Sequence, residues 1–416
     1  MSQPWFAKII FLLIFGAARM LWADSVTETN AFQTAAKIFN DQLFKTAEGS
    51  FAEFLATYPG SEHRAEAILF QAQARFHQTN SAGALELLQK ELPKAGTLAE
   101  QYQFWIAESF FQNENYEAAA QAHAELLKKY PRSARGLEAS YNQALAYARL
   151  KNWDKVVELL RAADGSFQKF ATIQPDNPFA QQGLLLLAEA LIAQKKFAES
   201  ERVLKQLDEY ALDPIVQWRQ QFLWSRAQLE AGHLEAALQI STNALQVAAA
   251  IPQKSFSAQT ILLQGEILEK LNRLPEAAQV QAKLLATNLR QAPAELRRQA
   301  LFKVITLTLA QKKTAEARQR LESFIKQNPR DPTLDLARLT LGELQLKEYF
   351  AGWEKKGTNR LTPTLTNGVQ LALTNFNKVI AEFPESPLLG KAWLLRGWCF
   401  WRDQKNAEAK ASFAQA

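Results

Sequence analysis

The sequence has very little cysteine, since Cys399 is the only one among 416 residues. A single thiol cannot form a disulfide within the chain or a cysteine-based zinc site. Cys399 stands between Trp398 and Phe400, and we interpret it as a small buried hydrophobic side chain. Disulfides are therefore excluded as a source of stability within this chain.

Residues that interrupt helices are scarce as well. The chain has 16 glycines and 15 prolines, whereas it is rich in alanine, leucine, glutamine, glutamate and lysine, which have high helix propensities. This composition predicts an all-α chain. Because 416 residues exceed what one hydrophobic core usually serves, we expect several domains or an array of repeats.

The chain lacks a strong charge of either sign. Its formal net charge is +6, and no run of basic residues is longer than two. Two of the positive charges, Lys8 and Arg19, lie in an N-terminal segment without acidic residues. A nucleic-acid partner is therefore not expected.

Motifs of catalysis and metal binding are missing too. The sequence has no glycine-rich phosphate loop, no GxSxG elbow, no HExxH and no calcium-binding loop. Its histidines are too dispersed to indicate a metal site: His63, His77, His123 and His233. We expect a chain that is not an enzyme, with no cofactor, no metal and no small-molecule substrate.

The N-terminus has the pattern of a secretory signal. Lys8 precedes the apolar run 9–18, and small residues follow, including Ala18 and Ala23. This order predicts a signal peptide over residues 1–23, with cleavage after Ala23 or, alternatively, after Ala18. The alternative is an uncleaved membrane anchor, but the length of the apolar run is only about half of the roughly 20 residues needed to span a bilayer. We therefore expect an exported protein of the periplasm or cell envelope, associated with the membrane only if the segment is retained.

A four-residue pattern recurs along the rest of the chain, for example Tyr116–Ala119, Leu234–Ala237 and Asn406–Ala409. Its last residue serves as an anchor for comparing the copies, and eight of the ten anchors are alanine. The anchors lie 35 to 55 residues apart at positions 47, 84, 119, 156, 200, 237, 277, 317, 372 and 409. A small residue at a fixed place in each copy indicates close contact between two helices, so we number ten repeats from these anchors.

Two further regularities support helix pairs. Proline stands twelve residues after four anchors, at Pro59, Pro131, Pro329 and Pro384, where it stops a helix. A small residue stands twelve residues before seven anchors, at Ala72, Ala107, Ala144, Ala188, Ser225, Gly265 and Gly397. Small residues on both sides of a tight turn predict an antiparallel helix pair in close contact.

The pattern resembles the tetratricopeptide repeat. The last copy matches that family best, with Trp393, Gly397, Phe400, Ala409 and Phe413 at positions that the family favours. The third copy departs from it, with His123 where phenylalanine is favoured, and we expect this histidine to be structural. The resemblance implies a right-handed α-solenoid of about ten antiparallel helix pairs over residues 24–416. No polar capping helix closes the last repeat, so we expect the array to continue beyond residue 416.

Two inserts interrupt the period, at 164–178 and 353–367. Insertions in solenoids map to loops on one face and in some proteins carry binding function. The alternative is that both are tolerated surface loops.

The resemblance also implies a function, because tetratricopeptide arrays bind peptides or protein domains on the concave face formed by the first helix of each repeat. Positions 5, 9 and 12 of the repeat point there. We predict a partner-binding groove that includes Phe104, Glu108, Phe111, Tyr141, Phe222, Arg226, Leu394, Trp398 and Trp401. Aromatic side chains and arginine dominate the energetics of protein interfaces.

Some members of the family bind a C-terminal carboxylate with lysine at position 5 and asparagine at position 9. The corresponding pairs here include Phe104 with Glu108 and Phe222 with Arg226, so that activity is not expected. The sequence therefore predicts a non-catalytic interaction scaffold of the cell envelope that binds a partner protein or peptide. The alternative is a regulatory or targeting module attached to a further domain, enzymatic or not, beyond residue 416.

Overall fold

The computed structural model describes residues 26–286, 289–356 and 367–416, and for 352–356 the backbone alone. The predicted signal peptide, residues 1–23, and residues 357–366 of the second insert lie outside these ranges. The chain separates into two compact units, Met1–Tyr210 and Ala211–Ala416. Among the described residues no helix is both long and apolar enough to cross a bilayer.

The described residues form α-helices joined by short turns. The first unit contains α1 (26–40), α2 (Phe44–Thr57), α3 (Arg64–His77), α4 (Ser81–Glu91), α5 (Ala99–Gln112), α6 (Tyr116–Lys129), α7 (Gly136–Arg149), α8 (Trp153–Arg161), α9 (Ser166–Ile173), α10 (Pro178–Ala193) and α11 (Phe197–Gln206). The second unit contains α12 (Pro214–Glu230), α13 (Leu234–Ala250), α14 (Lys254–Lys270), α15 (Leu274–Lys283), α16 (Ala294–Ala310), α17 (Thr314–Gln327), α18 (Leu334–Lys356), α19 (Gly368–Glu382), α20 (Leu389–Arg402) and α21 (Asn406–Gln415). The all-α prediction is confirmed.

The helices pair within repeats as the sequence pattern predicts. Apart from α9, they form ten consecutive pairs, five in each unit, and we call the two members of a pair the A helix and the B helix. The recurring motif is the first turn of the B helix, as at Tyr116 in α6 and Leu234 in α13. Every anchor is at most 2% exposed, namely Ala47, Ala84, Ala119, Val156, Ser200, Ala237, Ala277, Ala317, Ala372 and Ala409. The predicted steric requirement for a small side chain is therefore met where the B helix begins against its A helix.

The turn between the two helices of a repeat has a constant backbone shape. A residue with positive φ stands five residues before nine of the ten anchors, and eight of the nine are not glycine: Gln42, Thr79, Glu114, Lys151, Lys195, Gly232, Asn272, Lys312 and Gln404. This left-handed conformation is unfavourable for side chains with a Cβ. The packing of the two helices on either side must therefore hold each turn in place.

Side-chain caps begin several helices. Asn80, Asn115 and Asn152 each accept a hydrogen bond from a backbone N–H in the first turn of the following B helix. Ser133 accepts a hydrogen bond from the backbone N–H of Arg135 at 3.0 Å, just before α7. The three asparagine caps satisfy backbone donors that have no partner inside the helix, and each stabilises its helix by about 1 kcal/mol.

The first insert forms a helix that is part of the core. In α9, Phe167 and Phe170 are buried, and their rings lie against two glycines of neighbouring helices. A Cβ at Gly183 in α10 would lie 2.1 Å from Phe167 Cζ, and one at Gly136 in α7 would lie 2.0 Å from Phe170 Cζ. The expectation of a surface loop is therefore wrong for this insert. It could not be corrected from sequence, because the two rings pack against glycines of other helices, which the insert sequence alone does not reveal.

Candidate functional site

The predicted groove residues of the first unit differ in accessibility. Phe104 and Tyr141 are buried in the hydrophobic core that α5, α6, α7 and α8 share. The ring of Phe104 is covered by the Arg135 guanidinium, whose Cζ is 4.2 Å from the ring centroid. For these two side chains the expectation of an accessible binding surface is wrong, because the neighbouring repeat encloses them. Phe111 is half-buried and packs edge-on against Tyr116 at 5.1 Å.

Glu108, also predicted for the groove, belongs to a polar cluster between α5 and α7. Its Oε1 accepts a hydrogen bond from Asn142 Nδ2 at 2.7 Å and lies 3.2 Å from His123 Nε2. His123 is fully buried, as expected of a structural residue, but its Nδ1 has no hydrogen-bond partner among the described residues. Burial raises the pKa of the nearby Glu138 carboxyl, Arg135 opposes this rise, and the negative charge of Glu108 adds to it. The cluster joins consecutive repeats.

In the last repeat of the second unit, α20 presents the predicted residues Leu394, Trp398 and Trp401 on an exposed face. Trp398 and Trp401 meet edge-on at 5.4 Å, and Trp398 also contacts Phe413 of α21 at 5.8 Å. Cys399, between them in sequence, is buried, and burial raises the pKa of its thiol to about 12. The thiol is therefore protonated at neutral pH, in keeping with the predicted hydrophobic role.

The remaining predicted residues, Phe222 and Arg226, line a cleft of about 580 Å³ in the second unit. Its walls come from the A helices α12, α14 and α16, with one side chain from α15. We call this cleft the A-helix groove; it is lined by Phe222, Arg226, Gln259, Leu262, Leu263, Glu266, Glu269, Gln281, Gln299, Phe302 and Lys303. The structure thus brings Phe222 and Arg226 together with residues that were not predicted for the groove from sequence.

Apolar side chains stand in register across the A-helix groove. Phe222, Leu262 and Phe302 occupy position 5 of three consecutive repeats and are 40 residues apart. Phe302 is 55% exposed, whereas Phe222 and Leu262 are half-buried. The 40-residue spacing is the signal that would have identified Leu262 and Phe302 from sequence.

Charged side chains accompany this row. Arg226 and Glu266 occupy position 9 of adjacent repeats and are both exposed. Lys303 Nζ on α16 donates a hydrogen bond to Glu269 Oε2 on α14 at 2.9 Å. The groove therefore offers an apolar row with charges of both signs, and it has no lysine and asparagine pair for a terminal carboxylate.

A second cleft, of about 660 Å³, lies in the first unit between the insert helix α9 and the pair α10 and α11. Its rim carries Arg161, which pairs with Glu199 at 2.5 Å, and Gln168, which donates to the Leu160 carbonyl at 2.6 Å. Among the described residues no group of three or more histidine, cysteine or acidic side chains is arranged to hold a metal ion.

Comparison with known proteins finds one family model and several solved structures. A family model described as tetratricopeptide repeat matches residues 104–171, from α5 into α9. A search of curated protein sequences finds no match. Among solved structures, a tetratricopeptide repeat protein from Parabacteroides merdae is 16% identical, with 67% of this chain and 98% of that chain covered and a TM-score of 0.48.

Two further solved structures are similar over more of the chain. The apo form of the quorum sensor NprR from B. thuringiensis is 11% identical, with 84% of this chain and 98% of that chain covered and a TM-score of 0.49. The apo form of RapI is 13% identical, with 93% and 96% covered and a TM-score of 0.42. The family model thus identifies residues 104–171 as tetratricopeptide repeat, and the ten helix pairs with their buried anchors give the described residues an all-α repeat architecture of the kind that the sequence pattern predicts.

Proposed function

We propose that the chain is a non-catalytic interaction scaffold and that its A-helix groove binds an extended segment of a partner protein. The observation that carries this proposal is the row of Phe222, Leu262 and Phe302 at one repeat position on three successive A helices. Exposing a phenylalanine beside other apolar side chains is unfavourable in water, and such surfaces commonly mark interaction sites.

The dimensions of the groove suit an extended peptide. Packed helices lie about 8–10 Å apart, so three A helices present a surface about 20 Å long. An extended chain advances about 3.3 Å per residue, and about six residues would therefore cross the groove. Alternate side chains of such a segment could contact the apolar row while the others remain in solvent.

Selection from a random dodecapeptide library displayed on phage tests this proposal. We expect peptides selected on the wild-type chain to bind at least tenfold more weakly to the Phe302→Ala variant, because the variant lacks the exposed ring of the apolar row. A tenfold loss of affinity corresponds to about 1.4 kcal/mol of binding free energy. Fluorescence anisotropy with the synthetic peptides measures the affinities.

Phe350→Ala is the matched control, since Phe350 on α18 is another partly exposed phenylalanine of the second unit but does not line the groove. Peptides that bind Phe302→Ala as tightly as the wild-type chain, or that lose affinity equally for both variants, would contradict the assignment of the groove.

We further propose that the protein works outside the cytoplasm, in the periplasm or cell envelope. The apolar run 9–18 behind Lys8 and before Ala23 supports this proposal. N-terminal sequencing of the protein from fractionated native cells should find a chain that begins at Asp24, or at Arg19 if cleavage follows Ala18. Recovery of a chain that begins at Met1 or Ser2 from the membrane fraction, or from the cytoplasm, would show that the segment is not a cleaved signal.

A further inference from the structure

The floor of the A-helix groove contains a buried carboxamide whose oxygen lacks a hydrogen-bond partner. Gln281 of α15 is 1% exposed and lines the groove. Its Nε2 lies 3.4 Å from the Leu262 carbonyl, at the long limit of a hydrogen bond, and its Oε1 has no partner among the described residues. A buried acceptor without a partner costs about 1–3 kcal/mol, so the fold retains this group at a disadvantage.

Gln281 stands where most other repeats place an apolar side chain, the exceptions being His123 and Ser241. Four residues after the anchor, Phe376 lies over Gly342 and Phe413 lies over Gly397. Gln281 occupies the same place over Gly265, where a Cβ would lie 1.9 Å from Gln281 Nε2. The missing Cβ of Gly265 lets the carboxamide cross α14, so that a polar group lies under the groove instead of an aromatic ring.

Further acceptor oxygens lie on the same face of α14. Glu269 Oε1 is buried and has no hydrogen-bond partner among the described residues, although Glu269 Oε2 accepts from Lys303. Glu266 lies one turn before Glu269, next to Gly265, and is exposed. The groove therefore combines two buried acceptors without partners and an exposed carboxylate.

We infer that this part of the groove is a subsite for a basic side chain, an arginine or a lysine, within the bound partner segment. The inference rests on the proposed function. A guanidinium has five N–H donors, enough to serve Gln281 Oε1, Glu269 Oε1 and the Glu266 carboxylate together. Bonds from a charged donor to buried acceptors are stronger than those between neutral groups.

The positions of the other charges fix where the basic side chain binds. Lys303 is paired with Glu269, and Lys270 Nζ lies 4.0 Å from Glu266 Oε1 at the edge of α14, whereas Arg226 lies on the neighbouring helix α12 and repels a cation. The bound cation therefore lies on the α14 side that faces α16, and apolar neighbours in the segment pack against Leu262 and Phe302.

Degenerate nonapeptide libraries labelled with fluorescein test the subsite, with the central residue fixed as arginine, leucine or glutamate. We expect the wild-type chain to bind the arginine library at least tenfold more tightly than the leucine library, and the glutamate library most weakly. Gln281→Leu and Glu266→Gln should each reduce the preference for arginine over leucine at least threefold. Gln281→Leu should also raise the midpoint of thermal unfolding, because an unpartnered buried acceptor is removed.

Gln264→Leu is the matched control. Gln264, on α14, is another buried glutamine, but its Nε2 donates to Thr242 Oγ1 at 3.3 Å and it does not line the groove. This variant should keep the preference for arginine.

The outcomes separate the subsite from the groove. Equal binding of the arginine and leucine libraries, or a preference for glutamate, overturns the subsite; if Phe302→Ala still weakens all binding, the groove itself stands. An unchanged preference in Gln281→Leu and Glu266→Gln also overturns the subsite. If no library binds the wild-type chain, both the subsite and the proposed function fail.

Discussion

Replacing Asp331 by serine is expected to destabilise the second unit by about 3–5 kcal/mol, the usual effect of breaking a buried ion pair. The side chains of Asp331 and Arg297 are each 1% exposed and form an ion pair between α16 and the turn before α18. The guanidinium also donates to the carbonyls of Leu284 and Leu289 at 3.1 and 3.3 Å. Arginine stays protonated in proteins, so loss of the aspartate leaves an uncompensated buried charge.

A serine at this position separates the effect of the charge on stability from that of the hydrogen bond to the Thr333 N–H. Asp331 Oδ1 accepts from the backbone N–H of Thr333 at 2.9 Å, and Ser133 and Ser386 make the equivalent contact in other repeats. Asp331→Ser should therefore keep the contact with the Thr333 N–H and remove the charge, together with the bond that Asp331 Oδ1 accepts from Thr333 Oγ1 at 2.7 Å.

The double variant Arg297→Met with Asp331→Ser removes both charges and should recover most of the lost stability. Hydrogen exchange by mass spectrometry across α16 to α18 measures the free energy of opening locally, as a repeat array need not unfold in one step. If Asp331→Ser lowers the free energy of opening by less than about 1 kcal/mol, or if the double variant is less stable than the single one, the ion pair does not stabilise the contact between α16 and the turn before α18.

Truncating Phe167 to alanine is expected to destabilise the middle of the first unit by about 3–5 kcal/mol, as for other buried phenylalanines. The ring is buried against Gly183, which has no side chain of its own to occupy the space that the ring would leave. Hydrogen exchange should therefore increase in α9 and in the facing parts of α7 and α10. Ile173→Ala, on the same helix but 74% exposed, should leave exchange almost unchanged.

The glycine side of this contact gives a second, independent measurement. Gly183→Ala places a methyl group 2.1 Å from Phe167 Cζ and should therefore be destabilising, although alanine normally favours a helix over glycine by about 1 kcal/mol. Gly49→Ala in α2 has nothing within 4 Å of the added Cβ and should be stabilising. If both variants are stabilising, α9 is not held by its phenylalanines.

The two predicted effects have a common origin in departures from the repeat pattern. Asp331 replaces a capping serine and brings a charge that needs Arg297, while α9 adds two rings that need Gly136 and Gly183. Each departure is matched by a change in a different helix. A repeat pattern compares one position between repeats, so it does not show that a departure in one helix is matched by a residue in another.

The helix pairs themselves were predictable from sequence. The anchors predicted the ten B helices, and nine begin at the first residue of the recurring motif; α19 begins at Gly368, one residue before Val369. This worked because the constraint is local: a small anchor is needed wherever a B helix starts against its own A helix, about twelve residues away. The same contact recurs in every repeat.

The site was only partly predictable. Position 5 of the repeat indicated Phe222, which lines the A-helix groove, but it also indicated Phe104, which Arg135 and the next repeat cover. The sequence did not predict that Gln281 lines the groove, because its side chain reaches the groove across Gly265, sixteen residues earlier, where no Cβ is present.

The sequence by itself determined the all-α class, the number of repeats and the place of each turn, since propensities, helix stops and small residues act over short stretches of chain. Only the tertiary structure decided which aromatic side chains are accessible, how the first insert packs, and which polar groups lie unpartnered under the groove. These features depend on the fit between side chains of different helices, and burial and pairing are properties of that fit rather than of any one segment.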